Sequence, residues 1–346
     1  MKTLNKILEQ KILLLDGAMG TMIQREKLQE DDFRGSRFMD NKIPLIGNND
    51  ILNLTKEKLI YDIHYEYLLA GADIIETNTF NSTKISQSDY ECEEISYELN
   101  YSGGKIARKA VDNFLSENSN ENKYVAGVLG PTNRTCSMSP DVNNPGFRNV
   151  TFDELLDDYM NSVRGLIDSK VDIIFVETVF DTLNAKAALM AIKNVENEIK
   201  KKIPVMISAT ITDLSGRTLS GQTIEGFYNS IMHINPVSVG LNCALGPTEL
   251  EPYIAELNRI SEVFVSVHPN AGLPNAFGGY DETPESMANY AKKWCENGFI
   301  NIFGGCCGTT PEHINNINNK IKDIKPRERK KFEPRLKLSG LEPFKF

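Results

Sequence analysis

Three cysteines occupy positions from which they could bind a single metal ion. Cys243 lies in the segment GLNCALG, and Cys306 and Cys307 are adjacent in FGGCCGTTPEH. Each thiol directly follows a short apolar run that is typical of a β-strand. In a parallel barrel the strand ends converge on one mouth, where residues far apart in sequence become neighbours. Three thiolates without a fourth protein ligand predict a zinc ion with one open coordination position, which is typical of catalytic zinc.

The alternative is that these are ordinary buried thiols, because free cysteine is commonly buried. The Gly-Gly-Cys-Cys-Gly context argues against it, since adjacent side chains of a strand point to opposite faces whereas a turn lets both face one ion. His268 is a candidate fourth ligand, although a hydrogen-bonded histidine at a strand end is the simpler interpretation. Cys92, Cys136 and Cys295 are interpreted as structural thiols, with Cys295 packing in a helix beside Trp294.

Polar residues at other predicted strand ends are candidates for binding an organic substrate. Asp16 and Glu177 end the first and fourth strands, and acidic side chains there could hold a substrate ammonium group. Alternatively, they cap turns or pair with an arginine such as Arg134 or Arg217. Asn270 lies in HPNAGLPN, where it either lines the mouth or forms a turn.

The elements that must position these residues are eight short apolar runs with helices between them. Most runs are continuous in Ile, Val, Leu and Phe, which suits strands of a parallel sheet covered on both faces. Thr151 with Glu154 predicts a helix-capping box, and Thr283 and Thr310 each precede a proline at a predicted helix start. The predicted strands are 12–15, 73–77, 124–129, 172–177, 204–209, 237–242, 263–268 and 299–303.

The lengths of the connections favour one architecture. Links from helix to strand are short, whereas links from strand to helix are often long, as at 16–55 and 130–150. This asymmetry predicts a (β/α)8 TIM barrel with an elaborated catalytic face. An open doubly wound sheet is the rival, but DGAMGT after the first strand is not its G-x-G-x-x-G fingerprint. We therefore predict a barrel over residues 1–324 and a C-terminal linker or tail over 325–346.

Composition excludes several classes of function. The chain has 346 residues, is 40% hydrophobic and carries a formal net charge of −9, which argues for a folded protein and against a nucleic-acid partner. No apolar run is long enough to span a bilayer, and the N-terminal residues do not resemble a signal peptide. Six cysteines are too sparse for a secreted disulfide scaffold, so we expect a cytoplasmic protein whose thiols are reduced.

Several segments together resemble a known family. The chain is similar to the homocysteine-binding N-terminal module of cobalamin-dependent methionine synthases, within the wider homocysteine S-methyltransferase family, from about residue 10 to residue 318. Cys243 and the Cys306–Cys307 pair alone would imply only the wider family. DFRG, GNNDILNLT, TNRT and SGRTLSGQT resemble the cobalamin-dependent enzymes rather than their betaine- or S-methylmethionine-dependent relatives. The other segments that carry the resemblance are LLLDGAMGTMIQ, GADIIETNTFNST, VAGVLGPTNRTCSMSPDV, VETVFDTLNAKAA, GLNCALGP, HPNAGLPNAFGGYDETP and NIFGGCCGTTPEHI.

The resemblance implies a TIM barrel in which the three cysteines bind zinc and the sulfur of homocysteine takes the open position. It implies that Asp16 and Glu177 hold the amino group of homocysteine. Backbone N–H groups of the DGAMG turn, which contains Gly17, would hold its carboxylate. Asn270 would occupy the open position of the metal before homocysteine binds. The thiolate would then accept a methyl group from methylcobalamin, ultimately from 5-methyltetrahydrofolate, to give methionine.

The chain departs from the long form of that family in extent. It carries no D-x-H-x-x-G cobalamin signature, since DIHYEY at 62–67 lacks the glycine. We therefore expect methylcobalamin to come from cobalamin-binding and folate-binding modules elsewhere, in the same or a separate polypeptide. The alternatives are a methyltransferase that uses betaine or S-methylmethionine directly, and a zinc-dependent homocysteine-binding protein without turnover of its own.

Overall fold

Eight parallel strands form a barrel, as predicted. The computed structural model describes residues 2–212, 215–273 and 279–344. Neighbouring strands pair in chain order from β2 to β8, and β8 pairs with β1. A bridge from Leu15 to Ile74 joins β1 to β2 and closes the ring. The strands are β1 (Leu13–Leu14), β2 (Ile74–Glu76), β3 (Tyr124–Leu129), β4 (Ile173–Val179), β5 (Val205–Ala209), β6 (Ser238–Asn242), β7 (Phe264–His268) and β8 (Ile302–Phe303).

Each predicted run contains a strand, and the differences lie at the ends. β8 is shorter than predicted, because the backbone N–H of Phe299 bonds to Trp294 and completes the end of the preceding helix instead of pairing in the sheet. β4 runs two residues past Glu177 through a register shift between Val176 and Val179. That shift is a bulge, which re-aims the side chains beside it.

Helices surround the barrel and close its lower end. Those that follow the eight strands and cover the sheet are α5, α7, α8, α9, α10, α11, α12 and α13. The α-helices are α1 (Lys2–Leu8), α2 (Met19–Arg25), α3 (Glu30–Arg34), α4 (Leu52–Thr55), α5 (Glu57–Leu69), α6 (Lys84–Gln87), α7 (Ser96–Glu117), α8 (Phe152–Asp168), α9 (Thr182–Ile199), α10 (Ile224–Ile231), α11 (Pro247–Ile260), α12 (Pro284–Glu296) and α13 (Pro311–Ile321). Short 3₁₀ turns lie at Asn49–Ile51, Ser88–Tyr90, Glu93–Ile95 and Met232–Ile234.

Alternate strand residues form two separate apolar layers. Inward side chains such as Leu13, Ile74 and Phe175 fill the barrel, and Leu4 and Leu8 of α1 join this inner cluster. Outward side chains pack against the surrounding helices in a larger cluster. Because the interior is filled at the end where the strands begin, the space inside the barrel that chemistry can use lies towards the opposite mouth.

The predicted helix starts are confirmed. Thr151 and Glu154 form a reciprocal capping box, the hydroxyl of Thr283 accepts the N–H of Ser286, and Thr310 caps α13. These caps satisfy backbone N–H groups that have no partner within the helix. They fix where the strand-to-helix loops of the mouth end.

The segment after α13 lies on the outside of the barrel. Arg327 anchors this segment: it is buried, and its guanidinium donates to the carbonyl oxygens of Ser261 and Val263. Further along, the hairpin of β9 (Leu338–Ser339) and β10 (Pro343–Phe344) packs on α10. The division between barrel and tail at residue 324 stays a prediction.

Candidate active site

The mouth of the barrel contains a cavity of about 300 Å³. Residues from the loops or ends of β1, β2, β4, β6, β7 and β8 line it, so distant parts of the chain converge there as predicted. Its chemistry comes from two groups of side chains. The thiol cluster consists of Cys243, Cys306 and Cys307. The carboxyl cluster consists of Asp16, Glu76 and Glu177, with His268 beside it.

The structure brings the three predicted metal ligands together. The sulfur atoms of Cys243, Cys306 and Cys307 all lie within 4.8 Å of one another, and those of Cys243 and Cys307 are 3.8 Å apart. Tetrahedral zinc bound at ~2.3 Å from each sulfur requires sulfur pairs about 3.8 Å apart. Sulfur-rich donor sets favour zinc when no redox chemistry is needed. The donor set and its spacing therefore fit a zinc ion with three protein ligands.

Cys243 reaches this position through an unusual turn at the end of β6. Both Cys243 and Ala244 have left-handed backbone conformations, with φ of +57° and +54°. Such conformations cost of order 1–3 kcal/mol each in residues other than glycine, and they persist only where the surrounding structure imposes them. The N–H of Cys243 donates to the carbonyl of His268 at 3.2 Å, which ties the turn to β7.

Cys306 and Cys307 are held between β8 and α13 by the loop that follows β7. The N–H of Cys306 donates to the carbonyl of Pro269, and the N–H of Ala271 donates to the carbonyl of Cys307, both at 2.9 Å. Gly308, at φ +83°, lets the ring of Tyr280 approach, since a Cβ at that position would lie 2.4 Å from the ring. The pair therefore lies in a turn, and both thiols face one point.

The three thiols share hydrogen bonds. Hydrogen bonds from Cys243 and then Cys306 lower the pKa of the Cys307 thiol to about 3. The same network, together with burial, raises the pKa of Cys306 well above its usual range. Burial raises the pKa of Cys295 to about 12, and that thiol lies in α12 outside the cluster, as expected for a packing residue.

Asp16 and Glu177 both line the cavity, and no arginine is among its described lining residues. The alternative pairing with Arg134 or Arg217 is wrong, because Arg134 bonds to the hydroxyl of Ser88 and Arg217 binds the Gly221 carbonyl and Glu342. The described residues that line the cavity include no lysine either.

Asp16 is 3% exposed, and its Oδ2 accepts the backbone N–H of Glu76 at 3.0 Å. Within the described residues its Oδ1 has no hydrogen-bond partner. Burial raises the pKa of Asp16 well above its usual range; the bond from the Glu76 N–H opposes this, and Glu177 adds to it. A cation that enters the cavity would stabilise the ionised form of this buried carboxyl group.

Glu76 was missed by the sequence analysis. It is the last residue of β2. Its Oε1 is buried without a partner among the described residues, and burial, then Glu177 and Asp16, raise its pKa well above the usual range. The available signal was an acidic residue directly after the apolar pair Ile74 and Ile75 in DIIET.

His268 lies with the carboxyl cluster of the cavity rather than with the thiol cluster. Its ring nitrogen can approach Glu76 and Glu177 within 4.8 Å, and its Nε2 lies 3.7 Å from Glu177 Oε2. The expectation of a hydrogen-bonded histidine is not met, since neither ring nitrogen has a hydrogen bond within the described part of the chain. Among the described residues, His268 is also not part of the possible metal site formed by the three thiols, so it is not placed as their fourth ligand.

Two weaker candidates also lie close to these groups. Asn270 is 4% exposed, and its Oδ1 has no hydrogen-bond partner among residues the structure describes. Its neighbours in sequence are the two residues whose backbones bond to Cys306 and Cys307. Gly17 has no room for a side chain, since a Cβ there would lie 2.8 Å from Thr309 Oγ1. Parts of two family-like segments, 213–214 and 274–278, fall outside the described residues.

A TIM barrel with three convergent cysteine thiols and an acidic pocket beside them defines a class of candidate metal-dependent enzymes. Comparison with known families makes the class specific. Residues 13–321 match the model of the homocysteine S-methyltransferase family, so the chain belongs to that family. No helix among the described residues is both long and apolar enough to cross a membrane.

Solved structures give the same fold. The homocysteine methyltransferase MmuM from Escherichia coli, in its metallated form, aligns with a TM-score of 0.72 at 21% identity, covering 91% of this chain and 98% of that one. Its apo form aligns with a TM-score of 0.66 at 20% identity, covering 91% and 97%. At these identities the likeness establishes the shared barrel.

Proposed function

We propose that this protein methylates the sulfur of homocysteine to give methionine, with the sulfur bound to zinc held by Cys243, Cys306 and Cys307. The observation that carries the proposal is the sulfur spacing, which matches the edge of a zinc tetrahedron, in a cavity that also holds unpaired carboxyl groups. Membership of the homocysteine S-methyltransferase family supports it. Zinc bound at these thiols would keep the substrate sulfur as a thiolate at neutral pH, where a free thiol with a pKa of ~8.5 is mostly protonated.

The chain's own residues would orient the amino-acid end of the substrate. Asp16 and Glu177 present carboxyl oxygens to the cavity and would bind the ammonium group. Backbone N–H groups of the turn containing Gly17 would bind the carboxylate, and the absence of a side chain there leaves the backbone accessible. Asn270 would supply an oxygen ligand until homocysteine displaces it.

We further propose methylcobalamin as the methyl donor, carried by a cobalamin-binding module of the same or another polypeptide and recharged from a folate-binding module. The homocysteine sulfur would attack the methyl carbon, the bond to the carrier would break, and its electron pair would leave with the carrier. A cavity of about 300 Å³ has room for homocysteine but not for a corrinoid, so the donor would approach across the mouth. We expect these reactions in the cytoplasm, where the six free cysteines remain reduced.

Zinc analysis with and without homocysteine, followed by methyl-transfer assays with three donors, tests the proposal. We expect one zinc per chain, a change in its ligands when homocysteine is added, and methionine formation with methylcobalamin. Turnover with betaine or S-methylmethionine instead would replace the donor assignment. Homocysteine binding without turnover from any donor would identify a binding protein, and a chain without bound zinc would overturn the proposal.

A further inference from the structure

Four carboxyl groups line the cavity, without a lysine or arginine among its described lining residues, and those of Asp16, Glu76 and Glu177 form the carboxyl cluster. Ligand atoms of Glu76, Glu177 and His268 lie within 4.8 Å of one another, and Asp16 is joined to the backbone of Glu76. Asp16 is 3% exposed and His268 is 1% exposed. Grouping carboxylates in a buried place without a cation is unfavourable, because each loses hydration and repels the others.

The unpartnered atoms of this group point to the chemistry of the missing partner. Asp16 Oδ1, Glu76 Oε1 and both ring nitrogens of His268 are buried without hydrogen bonds among the described residues. Buried polar atoms are normally satisfied, so such a concentration indicates a ligand that donates several hydrogen bonds. A primary ammonium group carries one positive charge and three N–H donors, one for each carboxyl group of Asp16, Glu76 and Glu177.

We propose that Glu76 is a third carboxyl contact for the substrate ammonium group and makes the site selective for thiols that carry this charge. The inference rests on the proposed function, because it assumes that the thiol of the substrate lies at the three cysteines. Glu76 ends β2, between the strands that supply Asp16 and Glu177, so it extends the ammonium site across the near side of the mouth.

A metal ion is the competing occupant, since Glu76, Glu177 and His268 could also act as ligands. The ammonium group is favoured because this group and the thiols share one cavity of about 300 Å³, the scale of a single small ligand. A ligand with a thiol at one end and an ammonium group at the other contacts both groups of side chains. A second metal at Glu76, Glu177 and His268 would instead leave the ammonium group of such a ligand without these carboxyl contacts.

The test compares L-homocysteine with 4-mercaptobutyrate, which has the same carbon chain, thiol and carboxylate but no amino group. Affinities are measured by calorimetry on the zinc-loaded protein and on its Glu76→Gln variant. We expect Glu76→Gln to weaken homocysteine binding by roughly ten- to a hundred-fold, the usual effect of a hydrogen bond to a charged group. The affinity for 4-mercaptobutyrate should stay the same, because that ligand has no ammonium group for Glu76 to bind.

Asp50→Asn is the matched control. Asp50 lines the same cavity and is 2% exposed, but its carboxylate is already satisfied by the Ser82 hydroxyl at 2.6 Å and the Asn81 N–H at 2.8 Å. We expect this change to leave the ratio of the two affinities as in the parent. If Glu76→Gln does not fold, Glu76→Asp is used, and its shorter reach should lower the ratio while 4-mercaptobutyrate binds as before.

Three results would overturn the inference. Equal losses for both ligands would make Glu76 a structural residue, and equal affinities before and after the change would mean that it does not contact the ligand. A second zinc per chain that disappears in Glu76→Gln would assign the group to a metal. If neither L-homocysteine nor 4-mercaptobutyrate changes the zinc coordination of the parent protein, the proposed function fails. That result differs from a lost preference for the ligand with an ammonium group.

Discussion

Asn242 holds Thr178 with two hydrogen bonds at the mouth of the barrel. Its Nδ2 donates to Thr178 Oγ1 at 2.8 Å, and its Oδ1 accepts the Thr178 N–H at 3.2 Å. Thr178 has a φ of +56°, which is strained for a β-branched residue. It follows Glu177 directly, and Asn242 precedes Cys243 directly. One buried amide therefore fixes both a carboxyl group and a metal-binding thiol of the candidate site.

Replacing Asn242 with Ala should damage both stability and substrate binding. Loss of its buried hydrogen bonds should lower the free energy of unfolding by about 2–4 kcal/mol. Thr178 would relax from its strained conformation, so Glu177 would move and homocysteine would bind more weakly. Urea unfolding and calorimetry measure the two effects.

Asn301→Ala is the matched control for that prediction. Asn301 is also fully buried and bridges neighbouring segments, from the Val265 N–H to the Arg327 carbonyl, but it lies where β8 begins. We expect a similar loss of stability with homocysteine affinity retained. Equal effects of the two changes on affinity would contradict the role given to Asn242.

Replacing any one of Cys243, Cys306 or Cys307 with Ala should remove zinc and methyl transfer and leave the barrel folded. The thiols lie at the mouth, whereas the apolar layers that stabilise the barrel lie in the strands and helices. Metal analysis and circular dichroism check the two parts. Cys295→Ala should retain zinc, because that thiol is buried in α12; near-stoichiometric zinc in Cys306→Ala would refute the ligand assignment.

Asp16→Asn and Glu177→Gln should weaken homocysteine binding without releasing zinc. Each change removes a charge that faces the cavity, and the loss should be roughly ten- to a hundred-fold. Calorimetry measures the affinity, and metal analysis of the same samples shows whether zinc is retained. Parent-like affinity in both variants would mean that these carboxyl groups have only a structural role.

His64 should make the protein sensitive to acid. It is fully buried in α5 without hydrogen bonds to other described residues, and burial lowers its pKa to about 3. Below a pH of ~6.5, His64 binds a proton in the unfolded chain but stays neutral in the folded chain. The free energy of unfolding is therefore retained above this pH and decreases as the pH falls. Between pH 7 and 5 this residue should cost about 2 kcal/mol.

Urea unfolding of the parent and of His64→Leu at both pH values measures that cost. The variant should lose less stability on acidification than the parent. His233→Leu is the control, because His233 is exposed and its replacement should leave the parent's pH dependence. Identical losses in the parent and in His64→Leu would show that His64 is not the source.

Homocysteine binding should release close to one proton per site. The free thiol is mostly protonated at neutral pH, whereas a zinc ligand must be a thiolate. Affinity should therefore rise with pH until the free thiol ionises near ~8.5. Calorimetry in buffers of different ionisation enthalpy counts the proton.

X-ray absorption at the zinc edge provides a separate check on the same event. The coordination should change from three sulfurs and one lighter atom, from water or Asn270 Oδ1, to four sulfurs. An unchanged coordination shell without proton release would mean that homocysteine does not bind the metal.

The sequence determined the architecture and the thiol cluster. Continuous apolar runs, helix caps at Thr151 and Thr283, and short links before each strand specify a repeated local pattern, and that repetition predicts a parallel barrel. Once the barrel is known, cysteines at the ends of β6 and β8 must face one mouth. These conclusions depend on periodicity and position, which a sequence contains.

Only the tertiary structure decided which polar groups meet and how they are aimed. The bulge that places Thr178 at positive φ and the left-handed turn at Cys243 contradict local backbone preference, so no local pattern predicts them. Glu76 joined the site because β2 lies beside β1, and His268 lies beside Glu177 because β7 and β4 both end at the mouth. Such contacts depend on distances and directions between strands, which the packing of the whole barrel sets.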